Sequence, residues 1–324
     1  MKYSIGIDIG GTNTKFGVVD SEGNVLARDR FNTTDYRDFC EYVAAVASSV
    51  RKIMPNAKDG DCMGIGIGAP NGNFYKGTID KAPNLPFPRD LELPLVEELR
   101  SHMGFRHIYL TNDANAAALG EKIYGGAKTL KHFITITLGT GLGSGIIVDG
   151  KLLYGADGAA GELGHTIAVP DGRHCNCGGR GCLETYVSAT GIKKTFFEMM
   201  AVYGGNSTLK DKNWDELDAY QIELAAKAGD EIAMATYECT GEILGRSLAS
   251  FVAFSRPQEI FLFGGPVKSG ELLLRPTRRA MERNLYPIWK GKIPVTPSHL
   301  PEADAAILGA SSLVWDAVNH EHLS

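Results

Sequence analysis

A histidine and three cysteines fall close together: His165, then nine residues, Cys175, one residue, Cys177, four residues, Cys182. One imidazole and three thiolates form a closed tetrahedral set for zinc, and four protein ligands leave no open position, so such a metal is structural. Asn176, Gly178, Gly179 and Gly181 allow the tight turns that close ligand spacing demands. Free thiols in a glycine-rich loop, or a disulfide, are the alternatives, and the Cys175 to Cys177 spacing is tighter than in a standard zinc knuckle. Glu162 stands three residues before His165 and Glu184 two after Cys182. A metal-folded loop would hold both carboxylates rigidly, ready to accept hydrogen bonds from neutral hydroxyls. Cys40, Cys62 and Cys239 lie scattered among apolar neighbours and read as buried small hydrophobes.

Two further acids sit where strands end. Asp113, flanked by Asn112 and Asn115, follows the strand-like stretch His107 to Leu110 and precedes a helix through Ala116 to Tyr124. A carboxylate there can take the proton of a substrate hydroxyl as general base, or it can simply cap the helix. Asp8 lies on the polar face of an N-terminal strand, beside a glycine turn. That position suits Mg2+ held partly through water, and a hydrogen-bonded turn acid is the alternative.

The glycine turn beside Asp8 recurs. Residues 7 to 20 (IDIGGTNTKFGVVD) match residues 136 to 149 (ITLGTGLGSGIIVD) at a constant offset of 129. Each copy reads as a strand, a turn rich in Gly and Thr, and a second strand. Any two glycine-rich hairpins share some likeness, so the match alone leaves chance open. A Walker loop or dinucleotide fingerprint must run from a strand into a helix N-terminus, whereas these glycines lead into more strand. The remaining reading is a pair of turns whose backbone N–H groups form anion-binding concavities able to grip one polyphosphate.

The elements that must position these groups follow from periodicity. Tyr3, Ile5, Ile7 and Ile9 alternate with Ser4, Gly6 and Asp8, the pattern of a half-buried strand and not of a signal peptide. A helix carries Phe39, Val43, Val46, Val50 and Ile53, and a strand runs from Met63 to Ile67. A loop rich in Asn, Gly and Pro covers residues 70 to 90. The chain turns helical from Tyr220 to about Phe254, a strand at Glu259 to Phe263 stops at Gly264-Gly265, and a helix from Ala305 to Val318 follows. Strands and helices alternating around two related hairpins predict an α/β protein of two lobes with a cleft between them.

Composition narrows the class. The 324 residues allow two domains or one large one, and 44% hydrophobic with 22% charged residues is close to the globular average. A net charge of -5 argues against coating nucleic acid or anionic membrane. No window approaches the roughly 18 apolar residues of a membrane helix, so the chain is expected in the cytosol, where cysteines are more often free, metal-bound or catalytic than paired. Glycine, at 39 residues, exceeds the average share of about 7%.

Taken in order, these segments resemble the ROK family, named for repressor, open reading frame and kinase. The resemblance spans essentially the whole length. It rests on DIGGTNTK at 8 to 15, Ala82-Pro83-Asn84-Leu85, Thr111-Asn112-Asp113-Ala114-Asn115 and TLGTGLGSG at 137 to 145. It continues through Gly161-Glu162-Leu163-Gly164-His165, CNCGGRGCLE at 175 to 184, Phe263-Gly264-Gly265 and Asp304 through Gly309. It implies an actin-like, sugar kinase and heat-shock ATPase fold, a duplicated one. The small lobe would comprise residues 1 to 113 and 305 to 324, and the large lobe residues 114 to 304. The implied activity is transfer of the ATP γ-phosphoryl group to the 6-hydroxyl of a hexose, with ATP, Mg2+ and structural zinc as cofactors.

By that resemblance Asp113 is the base, and Asn84, Asn112, Glu162, His165 and Glu184 hold the sugar. Asp8, Gly10, Gly11, Thr12, Lys15, Thr137, Gly139, Thr140 and Gly141 meet the phosphates and their Mg2+, while adenosine lies near Gly264 and Gly265. His165 would bind zinc through one ring nitrogen and reach a sugar hydroxyl with the other.

Two departures bear on the sugar: Pro70-Asn71-Gly72 where relatives commonly read Pro-Gly, and Pro86-Phe87 where many show Gly-Trp. Glucose is the expected acceptor, with fructose, mannose, allose or an N-acetylhexosamine as alternatives. A sugar-responsive transcriptional repressor is the other class in the family; its N-terminal helix-turn-helix has no room ahead of a strand that begins at Tyr3. A chaperone-like or filament-forming ATPase would share the phosphate turns without needing Glu162, His165, the cysteines and Glu184 together. The expected partners are a hexose and a second or further copies of the chain, as homodimer or homotetramer, with neither nucleic acid nor membrane.

Overall fold

The computed structural model describes residues 2–54, 61–88, 90–204 and 206–321. The chain opens with β1 (Tyr3–Ile9), β2 (Asn13–Asp20) and β3 (Val25–Asn32), an antiparallel meander, then α1 (Phe39–Ile53) and β4 (Cys62–Ala69). Short strands β5 (Gly72–Asn73), β6 (Thr78–Asp80) and β7 (Glu92–Leu93) precede α2 (Leu95–Met103), β8 (Ile108–Asn112) and α3 (Asp113–Ile123). A second meander follows in β9 (Phe133–Leu138), β10 (Leu142–Val148) and β11 (Lys151–Leu152). Then come α4 (Glu184–Val187), α5 (Ala189–Tyr203), α6 (Ala219–Lys227), α7 (Glu231–Ser255), β12 (Glu259–Phe263), α8 (Glu271–Asn284), β13 (Val295–Pro297) and α9 (Ala305–Glu321).

The weak repeat is a structural one. One sheet runs β3-β2-β1-β4-β8 and the other β11-β10-β9-β12-β13, so each meander is extended on its first strand by two further strands. In both sheets those additions are parallel: β1 with β4, β4 with β8, β9 with β12 and β12 with β13.

The chain folds into two compact units. The first holds residues 1–130, 145–161 and 299–324, and the second residues 131–144 and 162–298. These boundaries differ from those drawn on the sequence after Asp113 and Asp304, because α3 packs on α9 and stays with the first unit.

β1 is buried on both faces, not one. Ile5, Ile7 and Ile9 face the core formed with α1, while Ser4 and Gly6 are covered by α9. The small residues are what let the helix come so near. A Cβ on Gly6 would lie 2.2 Å from the Ile307 carbonyl oxygen, and one on Gly66 of β4 1.9 Å from that of Ala310. The same helix meets α3 at Gly120 and Gly309, where a Cβ on Gly120 would reach the Gly309 Cα at 3.1 Å.

Three expectations need correction. The helical stretch read from Tyr220 to about Phe254 is divided into α6 and α7, because Gly229 takes φ +92° and Asp230 caps α7 by accepting from Ala233 N. The loop read over residues 70 to 90 carries β5 and β6, whose turn uses Gly77 at φ +69°; Arg89 lies outside the described residues. Cys40 is exposed in the first turn of α1, and Cys62 and Cys239 are half-buried.

Gly66→Ala should destabilise the fold by about 3 kcal/mol or more, since backbone and not a flexible side chain occupies the space. Chemical denaturation with m unchanged measures this; a loss below about 1 kcal/mol would show that α9 can shift at little cost.

Candidate active-site residues and metal centre

In the first unit, β1, β4 and β8 run parallel and end together, with Asp8 paired to Gly68 and Ala69 to Asn112. The carboxyl ends of parallel strands are where α/β proteins gather ligand-binding groups. Asp113 follows at once as the first residue of α3. Capping of that helix falls to Asn112, whose Oδ1 accepts from Ala114 N at 2.9 Å. Asp113 Oδ1 accepts from the same N–H at 2.8 Å, and its side chain still reaches solvent. The protein packed around it pushes its carboxyl above the usual range, with the Ala114 N–H opposing the shift.

Asp8 stands opposite Lys15 in the β1/β2 register. Burial pushes its carboxyl up to about 6; Lys15 pulls it down and the neighbouring Asp113 adds to the rise.

The first glycine turn is closed by Gly10 N donating to Asn13 O at 2.9 Å. Gly11 runs so close to Asn84 that a Cβ would lie 2.6 Å from the Asn84 carbonyl oxygen. Sequence reasoning missed what pins this turn. Thr33 donates its hydroxyl to Gly10 O at 2.8 Å and its N–H to Thr12 O at 2.8 Å. Behind Thr33, the buried Thr14 hydroxyl bridges to Thr33 at 2.9 Å and to the Tyr42 hydroxyl at 2.8 Å. Lys15 and Thr12 project to solvent beside it. Phe87, one of the two departures near the expected sugar site, is a core residue instead, its ring centroid 5.0 Å from that of Tyr42.

In the second unit, β9 leads into the Gly139 to Gly141 turn, closed by Gly139 N donating to Gly141 O at 3.0 Å. Thr137 pairs with Phe263 of β12, so Thr140 and the Gly264-Gly265 turn emerge from adjacent strand ends. Gly264 has φ +112°, and a Cβ on it would lie 2.0 Å from Leu138 O, so only glycine fits.

The cysteine segment folds as a tight hairpin, with Cys175 N donating to Gly179 O and Gly178 N to Cys175 O, both at 3.0 Å. It brings His165, Cys175, Cys177 and Cys182 together so that their ligand atoms all lie within 4.8 Å of one another. Cys177 Sγ is 3.6 Å from Cys182 Sγ, and Cys175 Sγ is 3.7 Å from His165 Nδ1. Tetrahedral zinc, with Zn–S about 2.3 Å and Zn–N about 2.0 Å, separates its ligand atoms by roughly 3.5–3.8 Å, so the four residues fit that metal. A disulfide needs sulfurs about 2.05 Å apart, which these are not.

The Gly179 N–H donates to Cys177 Sγ at 3.4 Å and holds that thiol below its ordinary value, whereas burial pushes the Cys175 and Cys182 thiols up. His165 turns Nδ1 to the cysteines and Nε2 toward Glu162, 4.0 Å away. Glu184 Oε1 lies 3.1 Å from Cys175 Sγ.

The ROK family model matches residues 4–317 of the chain. The protein belongs to the ROK family. A glucokinase of Thermotoga maritima is 34% identical over 317 residues, covering 97% of this chain and 98% of that protein. A xylose repressor of Caldicellulosiruptor bescii is 31% identical over 271 residues, covering 83% of this chain and 66% of the repressor. Among solved structures, a ROK family glucokinase from Streptomyces griseus in complex with glucose and AMPPNP superposes with TM-score 0.75 at 32% identity, covering 96% of this chain and 98% of that one. The two sheets of matching order are the duplicated actin-like fold of the sugar kinases and heat-shock ATPases. No helix among the described residues is long and apolar enough to cross a membrane.

Two measurements check this ROK protein's sites. Metal analysis should find about one zinc per chain, and Cys177→Ser should lower it; a metal-free protein with unchanged stability would refute a structural zinc. For Asp8, the folded state holds between about pH 4 and pH 6 a proton that the unfolded chain releases, so ionised Asp8 costs stability above that window. Asp8→Asn should therefore be more stable than the parent at pH 7, by up to about 3 kcal/mol, with the gain fading as pH falls to about 4. A difference that ignores pH across that range would contradict the buried charge.

Proposed function

We propose that this ROK protein is an ATP-dependent hexose kinase of the glucokinase type, transferring the γ-phosphoryl group to the 6-hydroxyl of glucose. The observation that carries the reading is Asp113. Asn112 caps the helix, so Asp113 is left as a solvent-reaching carboxylate of raised pKa beside Asp8, among residues that align with glucokinases over nearly the whole chain. A raised carboxyl brings a general base nearer the working pH.

In this reading Asn84, Asn112, Glu162, Glu184 and His165 Nε2 hold the sugar hydroxyls. The turns at Gly10 to Thr12 and Gly139 to Gly141 cradle the phosphates through the backbone N–H groups of Gly11, Thr12, Thr140 and Gly141, those of Gly10 and Gly139 closing the turns, with Lys15 and Thr137 alongside, and Gly264 and Gly265 receive adenosine. Asp8 would hold Mg2+ when the ion is bound, and the ion would supply neutralisation of charge on the transferring group. The sugar O6 attacks the γ-phosphorus in line, the bond to the bridging oxygen breaks, ADP leaves, and the 6-hydroxyl proton passes to Asp113. The loosely bonded transition state asks mainly for positioning, which the pinned glycine turns provide. The zinc loop is structural and fixes His165 and Glu184.

A sugar-responsive repressor is the second reading, favoured by the xylose repressor likeness. Against it stand the acids: a sensor has no use for Asp113 as base beside Asp8. The same proposal has the enzyme cytoplasmic, a homodimer or homotetramer, and without nucleic-acid or membrane partners.

A coupled ADP-release assay over glucose, fructose, mannose, allose and N-acetylhexosamines decides. Glucose should stimulate ADP release most, with glucose 6-phosphate as product. No stimulation by any of these sugars would sink the kinase reading and leave the repressor.

A further inference from the structure

The second glycine turn is seated on the metal loop. Five contacts, all within the second unit, join the segment Gly139–Ser144 to Glu184, to the Leu163–Gly164 stretch and to Ala189, on either side of the cluster. Glu184, two residues after Cys182, accepts from Leu142 N through Oε2 at 3.4 Å. The same carboxylate oxygen lies against Gly141, where a Cβ would come within 2.8 Å of it. On the other side, the tight turn Leu163–His165 docks by Leu163 N donating to Ser144 Oγ at 3.2 Å. In that turn Gly164 lies so near Leu142 that a Cβ would meet the Leu142 carbonyl oxygen at 2.6 Å. Finally Ala189 N, at the start of α5, donates to Gly139 O at 2.8 Å. The His165 turn is in turn stitched to the cysteine hairpin by Leu183 N donating to Thr166 O at 2.9 Å and by the bridge between Ile167 and Cys182.

We infer that Glu184 and the Leu163–His165 turn are positioning elements for the nucleotide as well as for the sugar, so that metal occupancy and nucleotide affinity are coupled through the Gly139–Ser144 turn. The physical reason is the ordering of one segment by two ligands. With zinc in place, His165 and Cys182 are fixed to each other, and both walls of the turn, Gly164 on one side and Glu184 on the other, are fixed with them. Without it the walls loosen, and a phosphate must spend part of its binding free energy on ordering the turn. Coupling of this kind is reciprocal: whatever factor zinc contributes to nucleotide affinity, nucleotide contributes to zinc affinity. The inference rests on the reading of residues 139 to 142 as a phosphate turn.

The experiment follows zinc release from the intact, zinc-loaded protein into a chromogenic chelator, with and without saturating MgADP, while calorimetry on the same sample reports whether MgADP binds. MgADP should slow zinc release by about fivefold or more, the lower end of ordinary coupling between sites. The nucleotide is itself a weak zinc chelator, so a direct effect would speed release and cannot mimic protection.

Gly141→Ala, whose Cβ displaces the Glu184 carboxylate, should release zinc faster than the parent and lose most of the protection. Val202→Ala, at an exposed position of α5 outside the site, should release zinc at the parent rate. Both variants carry all four metal ligands, and circular dichroism confirms that they are folded before comparison. Should Gly141→Ala fail to fold, Glu184→Gln takes its place, and it too should lose the protection. MgADP that binds by calorimetry yet leaves zinc release unchanged overturns the coupling and spares the kinase reading. MgADP that does not bind the zinc-loaded protein at all overturns both.

Discussion

The first unit depends on how closely the helix α9 approaches the sheet. Its Ile307 and Ala310 carbonyls lie where side chains on Gly6 and Gly66 would otherwise be, and its Gly309 meets Gly120 of α3. Main chain against main chain at that distance leaves little freedom for either helix to slide. α3 is therefore held at two places, by the end of β8 and by α9, and its first residue is Asp113. The same packing buries β1 on both faces and brings Asp8 to its crowded end. A carboxylate whose ionised form is disfavoured by burial is a cost to the fold, and it persists where charge is needed for chemistry.

The second unit reaches rigidity by another route. The first turn is pinned by the buried hydroxyl relay of Thr33, Thr14 and Tyr42. Glu184, Gly164 and Ala189 hold the turn at Gly139 to Gly141 from the metal-loop side. The duplication thus preserved strand order while the means of fixing each turn diverged. In the first copy a polar chain inside the core fixes the turn; in the second a small irregular loop does, the one that carries the His165, Cys175, Cys177 and Cys182 cluster.

Much of this was legible along the chain. The 129-residue offset anticipated two related hairpins, which open two sheets of the same order, and the strand Glu259 to Phe263 lies where its apolar run put it. The cysteine spacing brought the four ligand residues together. What was hidden depends on partners distant in sequence. Ser4 and Gly6 looked solvent-facing because nothing local reveals that α9, some 300 residues on, covers them; the Ser4 to Ser311 bond spans 307 positions. Phe87 looked like a sugar-site substitution until its tilted ring contact with Tyr42 placed it in the core. The break between α6 and α7 was readable from Gly229 followed by Asp230, a stop and a cap together, and apolar periodicity on both sides masked it. That Asn112, not Asp113, caps α3 required the side-chain geometry.

Most depends on that last distinction, because Asn112 also serves the Ala114 N–H from which Asp113 Oδ1 accepts, so the cap does not depend on the Asp113 carboxylate that is to act as base. Asp113→Asn tests it directly when glucose binding by calorimetry and turnover are measured on the same protein. Turnover should fall by about 10²- to 10⁴-fold, the range a positioned base supplies, with glucose affinity and helix stability little changed. Turnover that stays within about tenfold of the parent, or a loss of stability matching a lost helix cap, would contradict the role of Asp113 as base.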